Sequence, residues 1–171
     1  MNEEVINNLP VDAKKEFIKL GLKLAEKKTK TKVHDDFLSF VKHVWPEFIE
    51  GKHHKEIADK FNDIANKKIK RLIINMPPRH TKSEFASFLL PAWMVGRKPD
   101  LKIIQSTHTT ELAIRFGRKA KNLMDSPEYK QVFKTRLRED SQAAGKWETE
   151  QGGEYYAAGV GSAITGRGAD L

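Results

Sequence analysis

The sequence predicts an α/β fold, a parallel sheet flanked by helices and preceded by a helical lead-in, and three observations carry that expectation. A short strand-favouring run, Arg71-Leu72-Ile73-Ile74-Asn75-Met76, leads through Pro77-Pro78-Arg79-His80-Thr81 into Lys82-Ser83-Glu84 and then an apolar stretch of helix length, Phe85 to Val95. A second strand-like run, Leu101 to Ser106, follows it. Strand, helix, strand at this spacing is a βαβ unit, and such units build parallel sheets whose ligands bind at the carboxyl ends of the strands.

Taken in order, Pro10 sits where a first helical turn tolerates proline, and Phe17, Ile18, Gly21, Leu24 and Ala25 recur at helical spacing up to Lys27-Lys28-Thr29-Lys30. That is an amphipathic helix with a basic end, suited to packing on the main domain or a neighbour or, alternatively, to touching nucleic acid. A second helix is predicted from about Asp35, where Phe37, Leu38, Val41, Val44 and Trp45 share a face before Pro46 stops it. Residues 1–50 thus form a helical lead-in and residues 51–171 the main domain. A third helix follows from His53 to Asn66, with Ile57, Ala58, Phe61, Ile64 and Ala65 on one stripe.

The stretch from Phe85 to Val95 is apolar nearly all round, the mark of a buried helix, with Pro91 kinking or splitting it. After the second strand, Thr107-His108-Thr109-Thr110 offers hydroxyls for capping a helix lined by Leu112, Ala113, Phe116, Ala120, Leu123 and Met124. Its other face carries Arg115, Arg118, Lys119 and Lys121, a nucleic-acid contact or a solvated helix face. From Gly145 the period changes to two, and Trp147 and Thr149, then Tyr155 and Ala157, flank Gly152-Gly153 as in a β-hairpin. The glycine-rich segment from Ala158 to Gly168 has no regular period.

Composition narrows the class. With 171 residues, 39% hydrophobic and 32% charged, the chain suits one globular domain with a core. The absence of cysteine excludes a disulfide framework, a zinc–thiolate site and a thiol nucleophile. No apolar run reaches the ~20 residues that span a bilayer, and the acidic start Met1-Asn2-Glu3-Glu4 is unlike a signal peptide, so a soluble intracellular protein is expected. A net charge of +8, from 31 Lys and Arg against 23 Asp and Glu, favours polyanionic partners such as DNA, although the basic residues are spread along the whole chain.

The chemistry concentrates at the turn before Phe85. Strand, turn, Lys-Ser and helix is the order of a phosphate-binding P-loop, in which an ammonium meets the β and γ phosphates, a hydroxyl meets Mg²⁺, and free N–H groups at a helix start favour an anion. Lys82 and Ser83 supply the first two. The glycines of G-x-x-x-x-G-K-[ST] are missing: Met76 stands at the first and Thr81 at the second. Because a β-branched residue strongly disfavours φ > 0, Thr81 is expected to take a negative φ or to reshape the loop locally.

Met76-Pro77-Pro78-Arg79-His80-Thr81-Lys82-Ser83 resembles the divergent Walker A motif of the large terminase subunit of tailed bacteriophages, usually met as Pro-Pro-Arg-His-Gly-Lys-Ser. Further blocks are similar to that family in the same order: Ser106-Thr107-His108, Glu111-Leu112-Ala113, Phe116-Gly117-Arg118, Tyr155 through Gly161, and Ile164-Thr165-Gly166-Arg167-Gly168-Ala169-Asp170. The resemblance covers roughly residues 34 to 171. It implies a RecA- or helicase-like P-loop NTPase core of the ASCE kind, binding ATP and Mg²⁺ and driving DNA into a procapsid. The implied nucleotide-binding residues are Pro78, Arg79, His80, Thr81, Lys82, Ser83 and Glu84. To these the family pattern adds a polar residue reading the adenine edge, here His53 or His54, though a surface histidine pair fits the residues equally well.

The resemblance further implies that Arg79 senses or neutralises the γ-phosphate and that Arg167 reaches a neighbouring subunit's ATP, unless it is a plain surface arginine. Partners would be double-stranded DNA, contacted through Arg115, Arg118 and Lys119, the portal protein and the small terminase subunit. A homo-oligomeric ring on the portal, in the host cytoplasm, is the implied setting. Family sequences continue from Gly-Arg-Gly-Ala-Asp-Leu into an apolar strand ending in two acidic residues and later into a nuclease domain, and these residues contain neither, so the chain is expected to be a fragment. A reading from another class is a non-catalytic basic module that contacts DNA or protein through a degenerate P-loop. A helicase or P-loop kinase of another family is a third, which the downstream blocks disfavour.

Overall fold

The computed structural model describes residues 10–162 and 164–171. The acidic start at Met1 to Glu4 and Ala163 of the glycine-rich segment lie outside the described residues.

Helix α1 spans Val11–Asp35, longer than the sequence pattern suggests. Nothing between Lys27 and His34 breaks a helix, and pairs such as Glu26–Lys30, four residues apart at 2.7 Å, support it. Of the two packings expected for its apolar stripe, the one on the main domain is absent for most of its length. Phe17, Ile18, Leu20, Leu22 and Leu24 are exposed, and Val33, near the end, is the buried residue of the helix.

Helix α2, Phe37–Val44, begins two residues later than predicted because Asp36 caps it. The Asp36 carboxylate accepts the Ser39 N–H and the Asn62 amide, both at 2.8 Å, while Asn62 Oδ1 accepts the Phe37 N–H at 2.9 Å. Burial pushes the Asp36 carboxyl up, but these hydrogen bonds outweigh it and hold the group below the usual carboxylate range. One side chain thereby joins α2 to α3, which spans Lys52–Ala65. The core between them is aromatic: Phe37 meets Phe61, Phe85 and Trp93 edge to face with ring centroids 5.1 to 5.4 Å apart.

The predicted buried helix is continuous over 82–97 and is called α4. It opens as α-helix at Lys82–Glu84, widens into a π turn at Phe85–Leu89, and returns to α over Leu90–Arg97. Pro91 therefore neither splits nor ends it. The wider turn immediately before the ring takes up the carbonyl clash and lost N–H that proline brings to an α-helix interior. From Leu90 to Gly96 every residue is buried.

Strand β1, Lys102–Thr107, matches expectation, as does α5, Thr110–Asp125, capped by Thr109 Oγ1 on the Leu112 N–H at 3.3 Å. A short helix α6, Pro127–Val132, and a strand β2, Leu137–Ala143, went unpredicted. The hairpin is present as β3, Lys146–Thr149, and β4, Glu154–Gly159. The four-stranded sheet has the order β1-β4-β3-β2; β1 and β4 run parallel, with Ile103 opposite Tyr155, and the other pairs are antiparallel. It is a mixed sheet, not the wholly parallel one expected, because the hairpin puts β3 between β4 and β2.

The second correction concerns residues 71–77, predicted as a strand. They pair with no strand of the sheet. Their burial still alternates, with Leu72, Ile74 and Met76 packed on the core and Ile73 and Asn75 exposed, the period of a strand without its ladder. Between this segment and β1 lies a groove of about 1160 Å³ lined by Leu72, Ile74, Leu90, Met94, Leu101 and Leu171. At its edge Leu171 donates to Lys102 O at 3.3 Å and accepts from the Ile104 N–H at 2.9 Å, the pattern of a parallel bridge. Among the described residues no helix is long and apolar enough to cross a membrane.

Candidate functional site

Helix α4 runs one way and β1 returns alongside it, with Gln105 of β1 bonded to Ser87 of α4 at 3.3 Å. The antiparallel alignment places the start of α4, and the 77–84 loop with it, toward the end of the sheet where the parallel strands β1 and β4 finish. Ligands of parallel α/β sheets bind at that end.

The loop itself encloses a small concavity lined by Pro77, Pro78, Arg79, His80, Thr81, Lys82, Ser83 and Glu84. Its backbone carries two non-glycine residues with positive φ, Arg79 at 63° and Thr81 at 58°, with His80 between them on the ordinary side. Alternation of this kind turns successive N–H groups inward and makes an anion nest. Of the two outcomes expected for Thr81, a negative φ is overturned: the residue keeps the left-handed conformation that glycine supplies in the usual motif. A β-branched residue there is strained, and something must hold it.

Lys82 folds back across the concavity, its ammonium 3.4 Å from Met76 O. Ser83, the next residue, is exposed on the same first turn. Glu84 is occupied elsewhere: both its carboxylate oxygens accept from Lys119 on α5, at 2.7 and 2.8 Å, and that ammonium also lies over the Phe88 ring. Of the three residues expected to meet DNA, Lys119 is therefore drawn into an ion pair with the loop's helix, while Arg115 and Arg118 stay exposed.

His54 is buried behind the loop, 6% exposed, between Phe48 and Phe85, with ring centroids 4.8 and 5.1 Å away. Its Nδ1 accepts the Gly51 N–H at 2.8 Å, and its Nε2 lies 2.6 Å from Thr81 Oγ1. Burial first, and then the neighbouring His53 and His80 against the opposing pull of Glu50, hold the imidazole below its ordinary value and so neutral. Both ring nitrogens are used, so His54 has none left for an adenine edge. His53 packs on it at 3.8 Å between ring centroids, and its Nε2 is buried with no hydrogen-bond partner among the described residues. Of the two histidines, His53 is the one with an open nitrogen.

Arg167 stands apart from this group. Its guanidinium donates to Glu154 Oε1 at 2.7 Å and stacks over Tyr156 at 4.0 Å, both on β4 of its own chain. The glycine-rich segment that carries it is tied to the start of α5, where Ser162 Oγ meets Thr110 Oγ1 at 3.2 Å and accepts the Gly159 N–H at 3.1 Å. The structure thus brings residues 77–84, His53 and His54 together and leaves Arg167, Arg115 and Arg118 outside. Sequence reading missed the His54–Thr81 bond, which joins residues 27 positions apart and leaves no local pattern. Comparison of the chain with protein-family models, with curated proteins and with solved structures finds no match.

Proposed function

We propose that this chain is the ATP-binding part of a viral DNA-packaging motor of the large-terminase kind, a P-loop NTPase core that couples ATP hydrolysis to DNA translocation. The observation that carries the reading is the 77–84 loop: two left-handed residues, Arg79 and Thr81, shape a small concavity that Lys82 helps to line, and the loop ends on the first turn of a buried helix. Such a loop joins an anion nest, a point charge and a helix start at one place, the combination that a triphosphate requires. The motif blocks from Ser106 to Asp170 support the family.

The donor set suits the nucleotide and its metal. Lys82 and the loop N–H groups would hold the β and γ phosphates, Arg79 the γ-phosphate, and the Ser83 hydroxyl Mg²⁺, which binds chiefly through phosphates, waters and few protein oxygens. The metal supplies charge neutralisation across the phosphates. Of the two histidines, His53, whose buried Nε2 has no hydrogen-bond partner among the described residues, would be the one to meet the base once that nitrogen is uncovered. Open groove and bonded Leu171 beside β1 support a further apolar strand there, which would also give residues 71–77 a neighbour. The implied acidic pair would come with that strand, and Arg167 would serve a neighbouring subunit after release from Glu154. Exposed Arg115 and Arg118 are the DNA candidates, with the portal protein, the small terminase subunit and a homo-oligomeric ring as the assembly.

The second reading, a non-catalytic basic module, is favoured by one pair of facts: Glu84 is spent on Lys119 and Arg167 on Glu154. Titration calorimetry with Mg·ATP separates the two. Lys82→Ala removes about 1.5 to 3 kcal/mol of charge-assisted hydrogen bonding, a loss of roughly ten- to a hundredfold in affinity, while stability stays within about 0.5 kcal/mol. Affinity that ignores Lys82, or no ATP binding at all, favours the module. In a phosphate-release assay residues 1–171 are expected to stay near background, and a chain carrying the acidic strand to turn over.

A further inference from the structure

The geometry points to His54 as a positioning residue that locks Thr81 in the left-handed conformation and so shapes the 77–84 loop. Because Nδ1 accepts the Gly51 N–H, the neutral ring carries its proton on Nε2, and Nε2 donates to Thr81 Oγ1 at 2.6 Å. The Thr81 hydroxyl in turn donates to His80 O at 2.7 Å. A directed relay therefore runs from Gly51 at the start of α3, through His54 and Thr81, to the loop carbonyl of His80. Its direction is set by the first bond and admits one tautomer.

The relay supplies what the Thr81 backbone lacks. Thr81 at φ 58° is disfavoured by its branched Cβ, and left alone it would relax toward negative φ, swinging the Lys82 N–H out of the nest. Oγ1 is held from both sides, by the imidazole and by the adjacent carbonyl, so χ1 and φ are restrained together. The imidazole is itself clamped between Phe48 and Phe85, and Phe85 lies on α4 one turn beyond Thr81. A glycine at position 81 would need none of this.

Acid should release the lock. The groups facing the ring are His53 on the same helix, Glu50 just before it and His80 in the loop, with aromatic rings on the remaining sides. A proton on Nδ1 opposes the Gly51 N–H, donor against donor. The imidazole is held below its unfolded value of 6.5, so the unfolded or released form binds more protons in the window below 6.5. The lock is complete above that window and weakens as pH falls through it.

The inference rests on the nucleotide reading for its consequence but not for its measurement. On the ligand-free chain, NMR Cα and Cβ shifts of Thr81 report its φ, and ring ¹⁵N shifts report the His54 tautomer. Expected are a left-handed Thr81, a protonated Nε2, and Thr81 shifts that leave left-handed values as the His54 ring titrates. His54→Phe fits between Phe48 and Phe85 and removes both hydrogen bonds; it should release Thr81 and lower Mg·ATP affinity about tenfold, one hydrogen bond's worth. In a Thr81→Gly background the same His54→Phe change should shift affinity by less than about twofold, since glycine reaches φ > 0 unaided. Thr81 shifts indifferent to His54→Phe and to the His54 titration would overturn the inference, as would an equal affinity loss in both backgrounds. If the wild-type chain binds no Mg·ATP, the nucleotide reading fails, and the ligand-free shifts alone decide whether His54 locks Thr81.

Discussion

Two of the loops that turn through left-handed backbone do so by opposite means. Segment 159–168 uses glycine: Gly161 at φ 86° and Gly166 at φ 82°, each with space around it such that an added Cβ would meet nothing within 4 Å. Segment 77–84 uses arginine and threonine at φ 63° and 58°, and it depends on a histidine from another helix. The glycine turn is a local solution, paid in chain entropy alone. The threonine turn is a tertiary solution, strained by itself and shaped only when α3 is docked behind it. A loop of the second kind is tied to the fold, and its geometry changes with whatever disturbs α3.

The largest effect expected on this contrast comes from the glycines. Gly161→Ala and Gly166→Ala each put a Cβ on left-handed backbone with no partner to hold it, at about 1 to 2 kcal/mol, which lowers the melting temperature by a few degrees. A melt unchanged by both would show that this loop relaxes freely.

Thr81→Gly should act in the other direction. It removes strain of similar size and forfeits the His54 hydrogen bond, worth about 0.5 to 1.5 kcal/mol, so stability should change by less than about 1 kcal/mol. Mg·ATP binding is expected to be preserved or improved. Clear loss on both counts in calorimetry would mean that the threonine side chain itself touches the ligand, which would erase the distinction between the two loops.

The smallest effect belongs to the ion pairs anchoring each loop. Glu84–Lys119 and Arg167–Glu154 are bidentate or stacked but about a third exposed, so Glu84→Gln and Arg167→Ala should each cost no more than about 1 kcal/mol and less at high salt. Denaturant melts at two ionic strengths check this. A larger, salt-independent loss for Glu84→Gln would assign it a structural part in the loop comparable to that of His54.

Much of the fold was legible because local chemistry dictates it. Helical spacing placed α2, α3 and α5 within a residue or two of their ends, the all-apolar run at Phe85 to Val95 foretold burial, and period two around Gly152-Gly153 announced the hairpin. The unpredicted β2 is polar from Arg138 to Gln142, with no alternation of apolar and polar residues, and its pairing comes from β3 alongside it, a neighbour and not a pattern. Residues 71–77 show the converse, a strand's alternation with no ladder, since periodicity encodes which face is apolar but not whether a partner's N–H and C=O stand opposite.

The same division runs through the candidate site. By itself the sequence determined that a lysine and a serine begin a buried helix after a proline turn, because propensity and order are properties of adjacent residues. Only the tertiary structure decided that His54 Nε2 meets Thr81 Oγ1, that Lys119 pairs with Glu84, and that Arg167 rests on its own β4. Each of these is a hydrogen bond or ion pair between residues 13 to 35 positions apart. Their energies, about a kcal/mol apiece, arise only when packing has already brought the partners to within 3 Å, so no stretch of neighbouring residues could have declared them.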